Sequence, residues 1–170
     1  MSARVRVVLA TVADAAAIAS IHNAAADDLT ARFGKGTWST HGTDHGVRFA
    51  MSRGRIYIAR AGRTIVGSMT LGTRKPWAID PSYFTNVARP LYLTGMAVQP
   101  SRQGAGIGRA LIDESRRIAG DWPADAIRLD AFDGEVGAGA FYAKCGFREV
   151  GRRTYRTAPL VYFEWLPALK

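Results

Sequence analysis

The sequence has a single cysteine, Cys145, so no internal disulfide can form and nothing indicates an oxidising compartment. It also lacks any apolar run close to the roughly 20 residues that a membrane-spanning helix needs, and its first residues lack the apolar block of a signal peptide. No repeat, low-complexity tract or linker divides the chain. These absences predict a cytoplasmic protein with a single domain over residues 1–170 and no membrane partner.

Negatively charged residues are also few. The 170 residues hold 14 Asp and Glu against 23 Lys and Arg, which gives a formal net charge of +9. Such a balance favours anionic partners, including phosphate-rich cofactors and nucleic acid. The basic residues are scattered and form no dense cluster, so the charge permits nucleic-acid contact without establishing it. A hydrophobic content of 48% with 22% charged residues excludes a disordered chain.

Periodicity divides the chain into alternating strand-like and helix-like segments. Helices are predicted after the Thr11–Asp14 start signal, at GVRFAMS, after a glycine stretch, and at VGAGAFYAKCGF. Strands are predicted at RVRVVLA, RIYIARA, TIVGSMTL, LYLTGMAV, AIRLDAF, REVGRRTY and PLVYFEW. Between the third and fourth strands lies an irregular segment, residues 72–90, of a length that tends to be functional. The order predicts an α/β (α+β) fold with a mixed sheet of about six to seven strands.

The most informative stretch is QGAGIGRALI, residues 103–112, where glycines lead from a strand into a helix. Unpaired amides at a helix N-terminus bind anions, and glycine lets a ligand approach them closely. A dinucleotide fingerprint would need glycine at position 109, which is Arg109, and the Gly-Lys-Ser/Thr of a P-loop is missing. The stretch therefore predicts a phosphate site of another kind, with a ligand-free glycine turn as the alternative.

These residues resemble the Q/R-x-x-G-x-G/A motif of the GCN5-related N-acetyltransferases, the GNAT family. The preceding GMAVQP is similar to that family's strand ending, and FYAKCGF downstream resembles its second signature. Together the two blocks cover residues 91–152. The resemblance implies the family fold, with a splayed pair of strands at the cofactor site, and acetyl-CoA as the cofactor.

The resemblance also assigns residues to the cofactor. Backbone amides of the glycine stretch would hold the pyrophosphate, from Gln103, Gly104, Ala105, Gly106, Ile107 and Gly108 to Arg109. Met96, Ala97 and Val98 would pair with the pantetheine arm as an added strand would. Ala138, Phe141, Tyr142 and Lys144 would complete the cofactor site. Glu135 departs from the family pattern, which commonly has Asn at that position, and an ionised glutamate cannot donate a hydrogen bond.

The implied reaction is direct attack of an amine on the thioester in a ternary complex. Tyr142 would protonate the departing thiolate, with core packing as its alternative role. For the base we take Asp130, with Glu164, His41, His45 or a chain of waters as alternatives. His41 and His45 lack a third ligand, so no metal site is expected, and Cys145 is expected to pack in the core.

The acceptor is the least defined part of the sequence prediction. Trp38, Trp77, Tyr83 and Phe84 are expected to form an apolar wall for an amine, with covering of the sheet edge as the alternative. No acidic cluster of the kind expected for a polyamine site is visible, so the acceptor is predicted to be a small-molecule or peptide amine. Acetylation of an aminoacyl-tRNA or other nucleic-acid-linked amine, a non-catalytic acyl-CoA sensor, and a homodimer through the closing strands stay open.

Overall fold

A computed structural model describes residues 4–168 of the chain, and within that range it contains seven strands and four α-helices. The strands are β1 Val5–Leu9, β2 Arg55–Ala61, β3 Thr64–Gly72, β4 Pro90–Val98, β5 Ala126–Phe132, β6 Arg148–Tyr155 and β7 Ala158–Trp165. The helices are α1 Ala15–Phe33, α2 Asp44–Met51, α3 Ile107–Asp121 and α4 Gly139–Lys144. Element order and type agree with the sequence prediction.

The strands form one mixed sheet in the order β1-β2-β3-β4-β5-β7-β6. The pairs β1–β2, β2–β3, β5–β7 and β6–β7 are antiparallel, whereas β4 and β5 are parallel. The β4–β5 register joins Pro90–Tyr92 to Ala126–Arg128, the first three residues of each strand. The predicted fold class is thereby confirmed.

Local sequence signals explain where the elements begin. The amide of Thr11 donates to Asp14 Oδ2 at 2.8 Å, which is one half of the predicted capping box at the entrance to α1. Helix α2 starts two residues earlier than predicted because Thr43 caps it, its hydroxyl accepting from the Gly46 amide at 3.1 Å. The Thr43 cap therefore satisfies an otherwise unpaired amide of α2, whereas the Thr11–Asp14 contact belongs to the short turn Val12–Asp14 that leads into α1.

Helix α4 is shorter than the predicted segment VGAGAFYAKCGF. Gly134 has a φ of +130°, and a Cβ built on Gly137 would lie 1.8 Å from the carbonyl oxygen of Phe132. The chain therefore turns tightly against the end of β5 before α4 begins. The predicted end is correct, since Gly146 follows with a φ of +87°.

Two compact units interleave along the chain. The first contains residues 4–71 and Gly95–Glu114 of the described range. Its core includes Ile18 of α1 with Ile56 and Ile58 of β2, and α2 packs partly buried side chains on this cluster. A Cβ on Gly67 of β3 would lie 3.1 Å from the Ala97 carbonyl oxygen, so β3 and β4 approach closely there.

The second unit contains Gly72–Thr94 and residues 115–168 of the described range. In its core, Ile79 and Phe84 of the irregular segment pack with Tyr92 of β4 and Tyr162 of β7. The segment 72–90 is irregular, as predicted, and contains one short helical turn at Pro81–Tyr83. The prediction of a single domain over residues 1–170 stays a prediction. Across residues 4–168 no helix is both long and apolar enough to span a bilayer.

Candidate active site

The glycine stretch forms a turn that leaves a row of amides unbonded. Within the described part of the chain, the six consecutive amides from Gly104 to Arg109 donate to no protein acceptor, and the first helical bond of α3 runs from the Ala110 amide to the Gly106 carbonyl at 3.0 Å. Gly104 and Gly106 have φ values of +79° and +82°, which L side chains rarely adopt. The sequence therefore needs glycine at these positions to turn the chain.

The turn is open to an anionic ligand. Residues Gln103 to Gly106 are exposed, and a Cβ built on either Gly104 or Gly106 would meet nothing within 4 Å. The N-terminal end of α3 carries the positive pole of the helix dipole. Adjacent unpaired amides at that pole suit the oxygens of a diphosphate, so the residues present fit the pyrophosphate of coenzyme A.

The last residues of β4 lead through a short helical turn, Pro100–Arg102, into the glycine turn. Gly95 has a φ of +57° inside the strand, which locally interrupts its regular pleat. After it, the Gln99 amide donates to the Val66 carbonyl at 2.8 Å and Gln103 Nε2 contacts the Val98 carbonyl oxygen at 3.4 Å. The predicted pantetheine-binding residues, Met96–Val98, thus lie between an interrupted strand position and the glycine turn.

One polar group near this strand end was not singled out from the sequence. His22 of α1 is half-buried and shares a 3.0 Å hydrogen bond with Ser68 Oγ of β3, and Ser68 is only 1% exposed. Burial lowers the pKa of His22 below 6.5. No motif in the sequence marked His22 as functional. The packing of α1 on β3 brings Ser68 to it.

Tyr142 lies in the second unit, on α4. Its side chain is 6% exposed, and its ring packs edge-on to Phe147 and beside Phe163, with centroids 5.9 and 6.1 Å away. Burial, followed by the negative charges of Asp130 and Cys145, raises the pKa of Tyr142 well above 10.0. The phenol is therefore protonated at neutral pH, as a proton donor must be.

The two acidic base candidates differ in environment. Burial raises the pKa of Asp130 above 3.8. Burial also acts to raise the pKa of Glu164, but hydrogen bonds from Thr85 and Arg148 outweigh it and hold that pKa below 4.5. Thr85 Oγ1 and Arg148 each donate to Glu164 Oε1 at 2.6 Å, so this buried carboxylate is fully engaged by protein.

The other histidines are exposed. His41 pairs with Asp27 at 2.6 Å and His45 lies on α2. Residues 4–168 hold no group of three or more His, Cys, Asp or Glu side chains placed to bind a metal ion. Cys145 is buried, as expected for a packing residue.

The four aromatic residues predicted to bind the acceptor differ in how deeply they are buried. Trp38 is half-buried and donates from its indole nitrogen to the Gly34 carbonyl at 3.0 Å. Trp77 is 86% exposed, whereas Phe84 is buried in the core of the second unit. Tyr83 packs edge-on to Tyr162 at a centroid distance of 5.3 Å. Their role in acceptor binding stays a prediction.

The remaining predicted cofactor residues lie on or beside α4. Phe141 is half-buried with its ring centroid 5.3 Å from that of Tyr142. Ala138 and Lys144 are exposed, as is Glu135 in the preceding turn. Exposure leaves these positions accessible to a ligand, and their contribution also stays a prediction.

Comparison with known proteins identifies the class. The profile of the Acetyltransferase (GNAT) family matches residues 18–147. Among solved structures, an N-acetyltransferase from Staphylococcus aureus Mu50 matches with a TM-score of 0.69 at 17% identity, covering 96% of this chain and 98% of that one. No curated protein is significantly similar in sequence.

Two further solved structures share the fold. A putative acetyltransferase from Salmonella typhimurium, solved with acetyl-CoA, gives a TM-score of 0.65 at 18% identity, covering 95% of this chain and 93% of that one. A ribosomal-protein-alanine N-acetyltransferase from Brucella melitensis gives 0.71 at 20% identity, covering 95% and 99%. At these identities the likeness establishes the fold alone.

The chain belongs to the GNAT acetyltransferase family, because the family profile covers most of it. It is accordingly an N-acetyltransferase that uses acetyl-CoA.

Proposed function

We propose that the protein transfers the acetyl group of acetyl-CoA directly to a primary amine of a small molecule or peptide, in a ternary complex without an acyl-enzyme intermediate. The observation that carries this proposal is the row of six amides, Gly104 to Arg109, with no protein acceptor in the described part of the chain. Acetyl-CoA supplies the acetyl group already activated as a thioester.

Binding is assigned to the backbone of the first unit. The amides of the glycine turn hold the pyrophosphate, and the α3 dipole favours its negative charge. The strand residues Met96–Val98 align the pantetheine arm and donate a backbone hydrogen bond to the carbonyl that becomes an oxyanion. Positioning of this kind can supply much of the rate enhancement, because it removes the entropy cost of bringing two reactants together.

Proton delivery is assigned to Tyr142. Its hydroxyl is held protonated by burial and by the charge of Asp130, and it gives that proton to the leaving sulfur. This role rests on the position of Tyr142 in the family motif and on its raised pKa. Asp130 is the base candidate of the second unit, where its raised pKa improves it as a proton acceptor.

A buried cysteine supports direct transfer over a covalent route. Cys145 is the only cysteine of the chain and is 4% exposed, so it is not presented to an acyl donor.

The lack of an acidic cluster in the sequence supports an acceptor that is not a polyamine. Cytoplasmic location and dimerisation through the closing strands remain parts of the proposal.

The assay for this proposal is thiol release from acetyl-CoA in the presence of three groups of acceptors: simple primary amines, free amino acids, and short peptides with a free α-amine. Peptides acetylated at the N-terminus are the matched controls. We expect thiol release that requires the free amine, with the acetylated product identified by mass. Thiol release that is independent of amine would contradict the proposal, and so would coenzyme A binding with no turnover on any acceptor, which would support a sensor.

Salt dependence tests the nucleic-acid alternative. Binding of RNA that weakens steeply with salt would favour an acceptor amine carried on nucleic acid, because phosphate contacts release counterions. The scattered basic residues lead us to expect no such binding.

A further inference from the structure

The base of the reaction has a second candidate in the first unit. His22 lies on α1, facing β3 and the interrupted position of β4. A Cβ built on Gly95 would lie 3.6 Å from His22 Cε1 and 3.4 Å from Thr70 Oγ1. Gly95 directly precedes Met96–Val98, the residues assigned above to the pantetheine arm and the thioester carbonyl. The imidazole therefore adjoins the start of that segment.

The ring is anchored at one nitrogen only. Nε2 of His22 shares its 3.0 Å hydrogen bond with Ser68 Oγ, and Nδ1 has no hydrogen-bond partner among residues 4–168. If Ser68 Oγ accepts a hydrogen bond from Nε2–H, the lone pair of the neutral ring lies on Nδ1. The same Ser68 contact then persists when Nδ1 gains a proton, so protonation requires no rearrangement of the ring.

We propose that His22 is the catalytic base that takes the proton of the acceptor ammonium at Nδ1, with Ser68 as the positioning residue that holds Nε2–H. This role rests on the proposed acetyl transfer. One N–H bond of the ammonium breaks, its electron pair stays on nitrogen, and the proton becomes Nδ1–H of an imidazolium. The amine then forms the N–C bond as the carbonyl π pair moves onto oxygen. That pair forms the C=O bond again as the C–S bond breaks, and the C–S pair leaves on sulfur.

The protons balance as follows. The new amide nitrogen releases a second proton, which replaces the one that Tyr142 gives to sulfur. The imidazolium of His22 returns its proton to water. Each turnover therefore converts an ammonium and a thioester into an amide, a thiol and one proton in solution.

The surroundings of His22 suit a base that is neutral at physiological pH. One turn away on α1 lie Ile18 and Ala26, β3 contributes the hydroxyls of Ser68 and Thr70, and β4 contributes Gly95, none of which carries a charge. Burial among these uncharged groups lowers the pKa of His22. The ring is therefore neutral above pH 6.5 and able to accept a proton.

Histidine NMR tests the geometry without an acceptor. The chain has three histidines, and His41 and His45 are exposed internal controls. We expect His22 to titrate below pH 6.5 with its neutral form protonated at Nε2, and we expect its signals to move when acetyl-CoA is added. A neutral form protonated at Nδ1, or His22 signals that acetyl-CoA leaves unchanged, would overturn the proposal.

Kinetics test the role itself, using the acceptor with the highest turnover in the amine panel. His22→Gln is expected to lower kcat by about 100-fold or more, because its amide cannot take a proton, while the Kd of acetyl-CoA stays unchanged. The wild-type enzyme is expected to lose kcat/KM as the pH falls through the lowered pKa of His22, and His22→Gln is expected to remove that loss. Ser68→Ala is expected to move that loss to lower pH, since the imidazolium loses an acceptor. Arg63→Gln, at an exposed turn position between β2 and β3, is the control and is expected to change neither quantity.

The possible results distinguish failure of the proposed role of His22 from failure of the proposed acetyl transfer. The role of His22 would be overturned if His22→Gln turned over as fast as the wild type and kept the loss of kcat/KM at low pH. It would also be overturned if that loss disappeared in Asp130→Asn instead. Either result would leave acetyl transfer intact. A wild-type protein that binds no coenzyme A would remove the proposed function, and the role of His22 with it.

Discussion

The ring of Tyr83 lies directly against the backbone of Gly151. A Cβ built on Gly151 would be 2.2 Å from Tyr83 Cδ1, so β6 accepts the ring only because no side chain is present there. Close by, Tyr162 donates from its hydroxyl to the Ala78 carbonyl, and Arg153 pairs with Asp80 at 2.9 Å. These contacts fix the irregular segment 72–90 on strands β6 and β7 within the second unit.

Replacing Gly151 should therefore displace the segment. Gly151→Ala is expected to lower the free energy of unfolding by about 1–3 kcal/mol, because the new methyl group overpacks against the ring. Chemical denaturation measures the loss. In a Tyr83→Ala background the same Gly151→Ala change should cost under about 0.5 kcal/mol, since the obstacle is gone. Equal losses in both backgrounds would show that the ring contact is not the cause.

The glycine turn should be sensitive to a single methyl group. Gly106→Ala places an L side chain at a φ of +82°, which costs about 1–2 kcal/mol, so the turn relaxes and its amides no longer converge. The affinity for coenzyme A is expected to fall by about tenfold or more, as measured by calorimetry. Gly120→Ala in α3, the helix that follows the glycine turn, is the matched control. It is expected to keep affinity and to stabilise the protein by about 0.5–1 kcal/mol.

Removal of the Tyr142 hydroxyl should separate catalysis from binding. Tyr142→Phe keeps the ring contacts with Phe147 and Phe163 but has no proton to give. Turnover is expected to fall by about 100-fold or more, with the Kd of coenzyme A unchanged. In the wild-type enzyme the raised pKa of Tyr142 keeps its proton in place beyond pH 10.0. Undiminished turnover in the variant would take the hydroxyl out of the mechanism.

The buried carboxylate of Glu164 should make stability depend on pH. Its folded-state pKa lies below the ordinary 4.5, so its contribution is fully present above pH 4.5 and is lost as the pH falls through the folded value. Thr85→Val removes the hydroxyl that donates to Oε1 and is expected to cost about 1–3 kcal/mol at neutral pH. The cost should shrink at lower pH, once the carboxyl is protonated.

Thr154→Val, at an exposed position of β6, is the control for that substitution and is expected to change stability by under about 0.5 kcal/mol. Urea unfolding at several pH values measures both variants. A cost at Thr85 that does not change with pH would show that Glu164 is not the group responsible.

Much of the fold followed from local patterns. Strands β2, β5 and β6 occupy the predicted residues, because a short strand-like run between turn residues is a local signal. The position of the glycine turn could also be predicted, since a tight turn into a helix through positive φ values favours glycine. The end of α4 was marked by Gly146 for the same reason.

The rest depends on residues far apart in the chain. His22 and Ser68 are 46 positions apart and meet only because α1 packs on β3. Glu164 looked like a candidate base on its strand, but Thr85, which is 79 positions away, engages its carboxylate. Phe84 lay in a loop expected to face an acceptor, and tertiary packing buries it in the core. Sequence periodicity carries no information on such partners.

Calorimetric titration of coenzyme A into the protein tests the central claim most directly, because the unpaired amides from Gly104 to Arg109 are assigned to its pyrophosphate. The account predicts heat of binding at one site per chain, with affinity lost in Gly106→Ala and kept in Gly120→Ala. A titration without heat, or one with equal affinity in the wild type and both variants, would contradict it.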